Sequence, residues 1–128
     1  MPAVRARPEA LLERLILRDL GPRSDVLICK NEVGQGYTGA VAQALYAALP
    51  RDRETVRACL VRHTIAWGLG VGSPDLIGSV AGQWLGLELK SEDGRVSEDQ
   101  ERWHLAAGRR GALVRVVRSV DEARAAVD

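Results

Sequence analysis

Apolar and polar positions along this chain follow two periods, and the switches between them mark out the elements. Residues 8–20 (PEALLERLILRDL) place apolar side chains at helical spacing, with Pro8 suited to a first turn and Gly21-Pro22 ending the run. Residues 25–30 (DVLICK) have strand character, and the glycine-rich stretch 31–39 (NEVGQGYTG) reads as a loop. Residues 40–49 and 52–62 predict two short helices divided by Pro50, the second capped by Asp52. Residues 64–67 predict a short strand, and 75–80 and 84–90 two longer ones. Ser97 and Gln100 form an S-x-x-Q capping box opening a helix to about residue 107. A last strand is expected at 112–117, and Ser119 with Glu122 opens a terminal helix. The order α-β-(α-α)-β-β-β-α-β-α describes one mixed α/β domain over 1–128.

The sharpest alternation lies in 84–90. Leu85, Leu87 and Leu89 share the core face, while Trp84, Gly86, Glu88 and Lys90 point the other way. With Ala81-Gly82 as a two-residue turn, Val80 pairs with Gln83, Ile77 with Gly86, and Asp75 with Glu88. Directly opposed side chains have Cβ atoms roughly 4.5–5.5 Å apart. Two carboxylates therefore stand side by side with a lysine two residues along. Like charges about 4 Å apart repel by roughly 4 kcal/mol at an effective dielectric near 20. Such a pair is relieved by sharing a proton or by holding a cation. Taken singly, each acid reads more readily as a solvated strand carboxylate.

Composition changes this picture little: 46% hydrophobic, 27% charged and a net charge of +1 describe an ordinary globular domain and announce no nucleic-acid binder. The choice of cation says more. Of the 18 basic residues only Lys30 and Lys90 are lysine, so a sequence that otherwise selects arginine keeps a compact ammonium two residues after Glu88. Cys29 and Cys59 are isolated thiols that fit a reducing compartment better than a disulfide framework. No apolar run is long enough to span a membrane, and the N-terminal residues lack the apolar stretch of a secretory signal. A cytoplasmic protein without membrane association or organic cofactor is expected. On a helical wheel Glu13 falls inside the apolar arc between Leu17 and Leu20, where a carboxylate needs a partner.

The segment GVGSPDLIGSVAGQWLGLELKSEDGRVSEDQERW resembles the PD-(D/E)xK nuclease signature, and specifically the VRR-NUC (virus-type replication-repair nuclease) family in its phage-type, single-domain form. The elements appear in order: Gly72-Ser73-Pro74-Asp75, Glu88-x-Lys90, and Ser97-x-x-Gln100. The resemblance covers about residues 68–104 closely and the C-terminal strand and helix loosely. It implies a restriction-endonuclease-like αβββαβ core with a helical insertion after the first strand. It implies metal-dependent cleavage of DNA phosphodiesters, on branched or structured DNA in replication, recombination or repair. Asp75, Glu88, Lys90 and Gln100 would be catalytic, with Asp75, Glu88 and a first-helix glutamate, matched by Glu13, holding Mg²⁺ (Mn²⁺ substituting). Lys30, Asn31, Ser73 and Arg95 are candidate DNA contacts, Lys30-Asn31 resembling a basic R-N-x-x-G segment of related sequences. A homodimer is the implied assembly. Gln100 keeps two compatible roles, as capping-box partner and as a group near the catalytic lysine.

Two other readings stay open: a non-catalytic DNA-binding or assembly protein that keeps the fold, and an RNA-directed nuclease. Gly68–Gly72 is not a nucleotide loop, since no helix and no G-K-S/T follow it. His63 and His104, far apart in sequence, are expected to be surface or core histidines. Ser73 lacks a nucleophile-elbow context and is expected to serve the turn.

Overall fold

A computed structural model describes residues 8–36 and 38–128. In chain order the elements are α1 (Pro8–Leu20), β1 (Val26–Lys30), β2 (Gly34–Gly36), α2 (Gly39–Ala48), α3 (Arg53–Arg62), β3 (Ile65–Trp67), β4 (Leu76–Val80), β5 (Gln83–Leu89), α4 (Glu98–Gly108), β6 (Leu113–Val117) and α5 (Val120–Val127). The chain divides into two compact units. One comprises the residues up to Asn31 and from Val71 onward; the other is Glu32–Gly70.

The larger unit is a four-stranded mixed sheet in the order β1-β4-β5-β6. The β4–β5 hairpin turns on Ala81 and Gly82, both at positive φ (46° and 82°), the primed-turn conformation that matches strand twist. This two-residue turn pairs Val80 with Gln83, Ser79 with Trp84 and Ile77 with Gly86, the register expected from the sequence. Strand β1 runs antiparallel to β4, pairing Val26 with Val80 and Lys30 with Leu76. Strand β6 lies parallel to β5, which a tight turn cannot achieve, and α4 supplies the crossover.

The period-2 pattern sends Leu76, Val80, Leu85, Leu87 and Leu89 to one face. There they pack with Ile16 and Leu20 of α1, Val117 of β6, and Ala123 and Val127 of α5 into a single buried cluster. At about 25 cal/mol per Å² of apolar surface removed from water, this face is the main source of the unit's stability. Helix α4 takes the other face. Its cap is complete: Ser97 Oγ accepts from Gln100 N, and Gln100 Oε1 accepts from Ser97 N. Helix α5 is capped by Ser119, whose Oγ accepts from Glu122 N, while Glu122 Oε2 accepts from Arg118 N.

The smaller unit pairs β2 antiparallel with β3 around the helices α2 and α3. Two expectations are corrected here. The glycine-rich stretch taken as loop contains a strand, Gly34–Gly36, whose partner Ile65–Trp67 lies some thirty residues away, beyond the reach of local pattern. Asp52 occupies the N-cap of α3, but its side chain makes no capping bond, and its backbone (φ −128°, ψ 46°) departs from the usual extended cap.

Candidate active site

Asp75 is delivered by the loop 71–75, which is pinned from two sides. Gly72 sits at φ +88°, and a Cβ there would run into the backbone carbonyl of Asp99 at the start of α4, so only glycine allows this approach. Asn31 clasps the same loop, its Nδ2 donating to Ser73 Oγ at 2.9 Å and to the Pro74 carbonyl at 2.8 Å. Asn31 N also donates to the Asp75 carbonyl at 2.8 Å. Pro74 then packs over Gly86, where a Cβ would collide with Pro74 Cγ and the Trp84 ring. Trp84 in turn stacks on Trp103 of α4, ring centroids 5.5 Å apart. The Asp75 carboxylate accepts from Leu89 N at 2.8 Å, which holds it beside the end of β5.

Glu88 occupies the centre. Only 2% of it is exposed, an unusual condition for a carboxylate. Gln100 Nε2 donates to its Oε1 at 2.7 Å, and Lys90 Nζ lies 3.3 Å from the same oxygen. Its other oxygen faces His104 Nε2 at 3.7 Å, and both atoms are buried without a hydrogen-bond partner. Burial pushes the Glu88 carboxyl up to about 7, with the Asp75 charge acting the same way and Lys90 opposing. Burial, together with the charge on Lys90, holds His104 below the ordinary histidine range. The result is a buried carboxyl beside a half-buried acid, with an ammonium and a primary amide on one of its oxygens.

Asp75, Glu88, Lys90 and Gln100 are thus brought together, and the amide of Gln100 fills both anticipated roles at once: its oxygen completes the helix cap while its nitrogen binds Glu88. Lys30 pairs with Leu76 on the apolar face, and its ammonium lies 3.4 Å from Glu13 Oε1, so Glu13 finds its partner there. Among the described residues no group of three or more His, Cys, Asp or Glu side chains is arranged as a metal site. The neighbouring Glu9 instead reaches the strand end, accepting from Ser91 N at 3.4 Å. Asn31 and Ser73, anticipated as DNA contacts, are turned inward to hold the loop, and Ser73 is only 9% exposed. Arg95 is exposed on the loop between β5 and α4. Arg118 braces that loop, its Nη1 donating to the carbonyls of Ser91 (2.6 Å) and Gly94 (2.8 Å).

The residue that sequence reasoning missed is His104, expected to be an unremarkable histidine yet set against Glu88. A signal was present: it falls four residues after Gln100, on the same helix face one turn along.

Comparison with known proteins adds nothing further: no family model matches the chain, and neither a curated protein nor a solved structure does. The fit to a metal therefore rests on the donors themselves. The β4–β5 register sets the carboxyl groups of Asp75 and Glu88 on opposed positions of one face, both offering hard oxygen donors. A divalent cation that keeps several waters needs only one or two protein carboxylates, the number of acids this pair supplies.

Proposed function

We propose that this protein is a divalent-metal-dependent nuclease that hydrolyses phosphodiester bonds, with Asp75 and Glu88 holding the ion. The observation that carries the reading is Glu88: a carboxylate 2% exposed, beside a second acid and within 3.3 Å of a lysine. An interior that only needed filling would take a leucine at 88, as it does at 85, 87 and 89. Buried acids with displaced proton affinities mark functional sites more often than structural ones. Mg²⁺ held there would neutralise charge on the scissile phosphate and make a coordinated water a better nucleophile.

The chain's own groups have separable tasks. Asp75, fixed by Leu89 N, and Glu88, fixed by Gln100, present their oxygens in a preset orientation. Lys90, with its side chain 15% exposed, keeps an ammonium at the site's mouth, suited to orient water or to stabilise developing negative charge. His104, whose proton affinity burial holds below the ordinary histidine range, lies against the second oxygen of Glu88.

The VRR-NUC resemblance supports DNA as substrate, branched or structured DNA in particular, in replication, recombination or repair. The sheet order, with two antiparallel pairings followed by a parallel one across α4, supports a restriction-endonuclease-like core. A homodimer belongs to the same proposal, supported by α2 (GAVAQALYAA), a helix without a charged residue that buries none of its residues within the monomer. An intracellular setting fits two free, exposed cysteines, and no helix among the described residues is long and apolar enough to cross a membrane.

The test is incubation with labelled junction, flap, duplex and single-stranded DNA and with RNA, in Mg²⁺, Mn²⁺ or EDTA. Cleavage of a DNA substrate that EDTA abolishes is the expected result. Cleavage confined to RNA would move the substrate, and binding without any cleavage would leave a non-catalytic nucleic-acid protein.

A further inference from the structure

The nuclease reading leaves one feature of the same unit unused. Between the second half of α4 and the first half of β6 runs a groove of about 480 Å³, lined by His104, Leu105, Gly108, Arg109, Val114 and Arg115, among others. It begins at the histidine whose other side meets Glu88. Its chemistry separates it from two grooves of similar size. The one between α1 and α5 has its arginines Arg18 and Arg124 beside Asp19 and Asp121, and Arg124 is bound to both acids. The one on α3 sets Glu54 beside Arg57 and Arg62. The α4–β6 groove has two guanidinium groups and no carboxylate in its lining.

Between those cations the wall is apolar. Leu105 is 60% exposed, and Gly108 and Ala112 leave its flank low. A leucine that open, one residue past His104, leaves most of its surface in water. Anionic ends and a flat apolar middle describe a nucleotide, whose phosphates take arginine and whose base packs on an apolar surface. The size suits it as well, falling within the range of small-ligand sites. A base can lie on this wall only when it is free of its complementary strand.

Resting on the nuclease reading, we propose that the α4–β6 groove is a subsite for an unpaired nucleotide of the bound strand. Arg109 and Arg115 hold its flanking phosphates and Leu105 underlies its base.

The experiment is fluorescence-anisotropy titration of the full chain with a labelled single-stranded oligonucleotide and with the same sequence as duplex, in Ca²⁺ without turnover, over a salt series. Two double variants are compared: Arg109→Ala with Arg115→Ala, and Arg14→Ala with Arg18→Ala on α1 as a control of equal charge loss. All four side chains are on exposed residues, so folding is expected to survive, and matching melting curves verify it. The groove variant should lose on the order of tenfold in single-strand affinity, and its salt slope should become shallower by about 1.4, for two phosphate contacts on single-stranded DNA. The α1 control should change little, and Leu105→Ala should weaken single-strand binding with an unchanged salt slope. Equal losses in both double variants, or equal losses on duplex and single strand, overturn the subsite. A wild-type chain that neither binds nor cuts any nucleic acid overturns the nuclease reading itself, whereas wild-type cleavage with an unaffected groove variant overturns the subsite alone.

Discussion

The two faces of β5 are buried to nearly the same degree and for opposite reasons. Leu85, Leu87 and Leu89 point toward α1 and α5 and are 0–3% exposed; Glu88, pointing toward α4, is 2% exposed. On the leucine face burial is itself the stabilising event, because apolar surface leaves water. On the glutamate face burial costs free energy, since a carboxyl leaves water with one oxygen bound and the other without a partner. The protein sustains the second face because the first is well packed, and the contrast separates the half of the sheet that folds the chain from the half available for chemistry.

Adjacent substitutions break that contrast most directly. Asp75→Asn and Glu88→Gln should each abolish metal-dependent cleavage while preserving the fold, since each removes ligand charge and almost no volume. Leu87→Ala, one residue away on the other face, should cost about 2–5 kcal/mol of stability through cavity formation, read from denaturant unfolding. Near-normal cleavage by either acid variant with a normal melting curve would remove the metal assignment.

Lys90 sharpens the comparison within the polar face. Lys90→Ala should lower turnover by about 10²–10³, or roughly 3–4 kcal/mol, with little change in DNA affinity. Lys90→Arg keeps the charge and changes its shape, and should remain strongly impaired in cutting. If Lys90→Arg cuts like the parent protein in single-turnover assays, the lysine supplies generic positive charge only.

The third test uses pH. Glu88 holds its proton up to about pH 7 in the folded protein, against an ordinary value of 4.5, so between these pH values the native state binds a proton that the unfolded chain has lost. Its contribution to stability therefore falls as pH rises through that window, by about 3 kcal/mol for the full shift. His104, lowered from its ordinary 6.5, acts in the other sense, and its contribution falls as pH drops below that value. Urea unfolding at pH 5 and pH 8 should show Glu88→Gln gaining on the parent protein at the higher pH. Added Mg²⁺ should bind more weakly below pH 7, where it competes with the proton on Glu88. A parent and variant that keep a constant stability difference across this range would contradict the assignment.

The smallest expected effect is at Gln100. Gln100→Ala removes half of the capping box and the bond to Glu88 together, so it should lower metal affinity or activity by about 10–100-fold and stability by about 1 kcal/mol. Gln100→Glu tests the two roles apart, because it can still accept from Ser97 N but cannot donate to Glu88. Activity kept by Gln100→Glu in a steady-state assay would confine the residue to the cap.

What the sequence determined by itself is whatever depends on period and on neighbours along the chain. The bounds of α1, the Ala81-Gly82 turn and the register that sets Asp75 beside Glu88 follow from apolar spacing and turn chemistry, so both the core face and the acid pair were legible. The Ser97–Gln100 cap was legible for the same reason. Contacts made across the fold were decided by tertiary structure. Glu13 was placed by its helical wheel as an acid in need of a partner, but only the packing of α1 against the sheet made that partner Lys30. Gly34–Gly36 became a strand because Ile65–Trp67 came alongside, a pairing that glycine's weak strand preference conceals. His104 met Glu88 because α4 crosses the sheet with that face inward. Even the burial of Glu88, which gives the acid pair its chemistry, was absent from the alternation: period 2 says which face a side chain takes, and only the helix laid over that face says whether water reaches it.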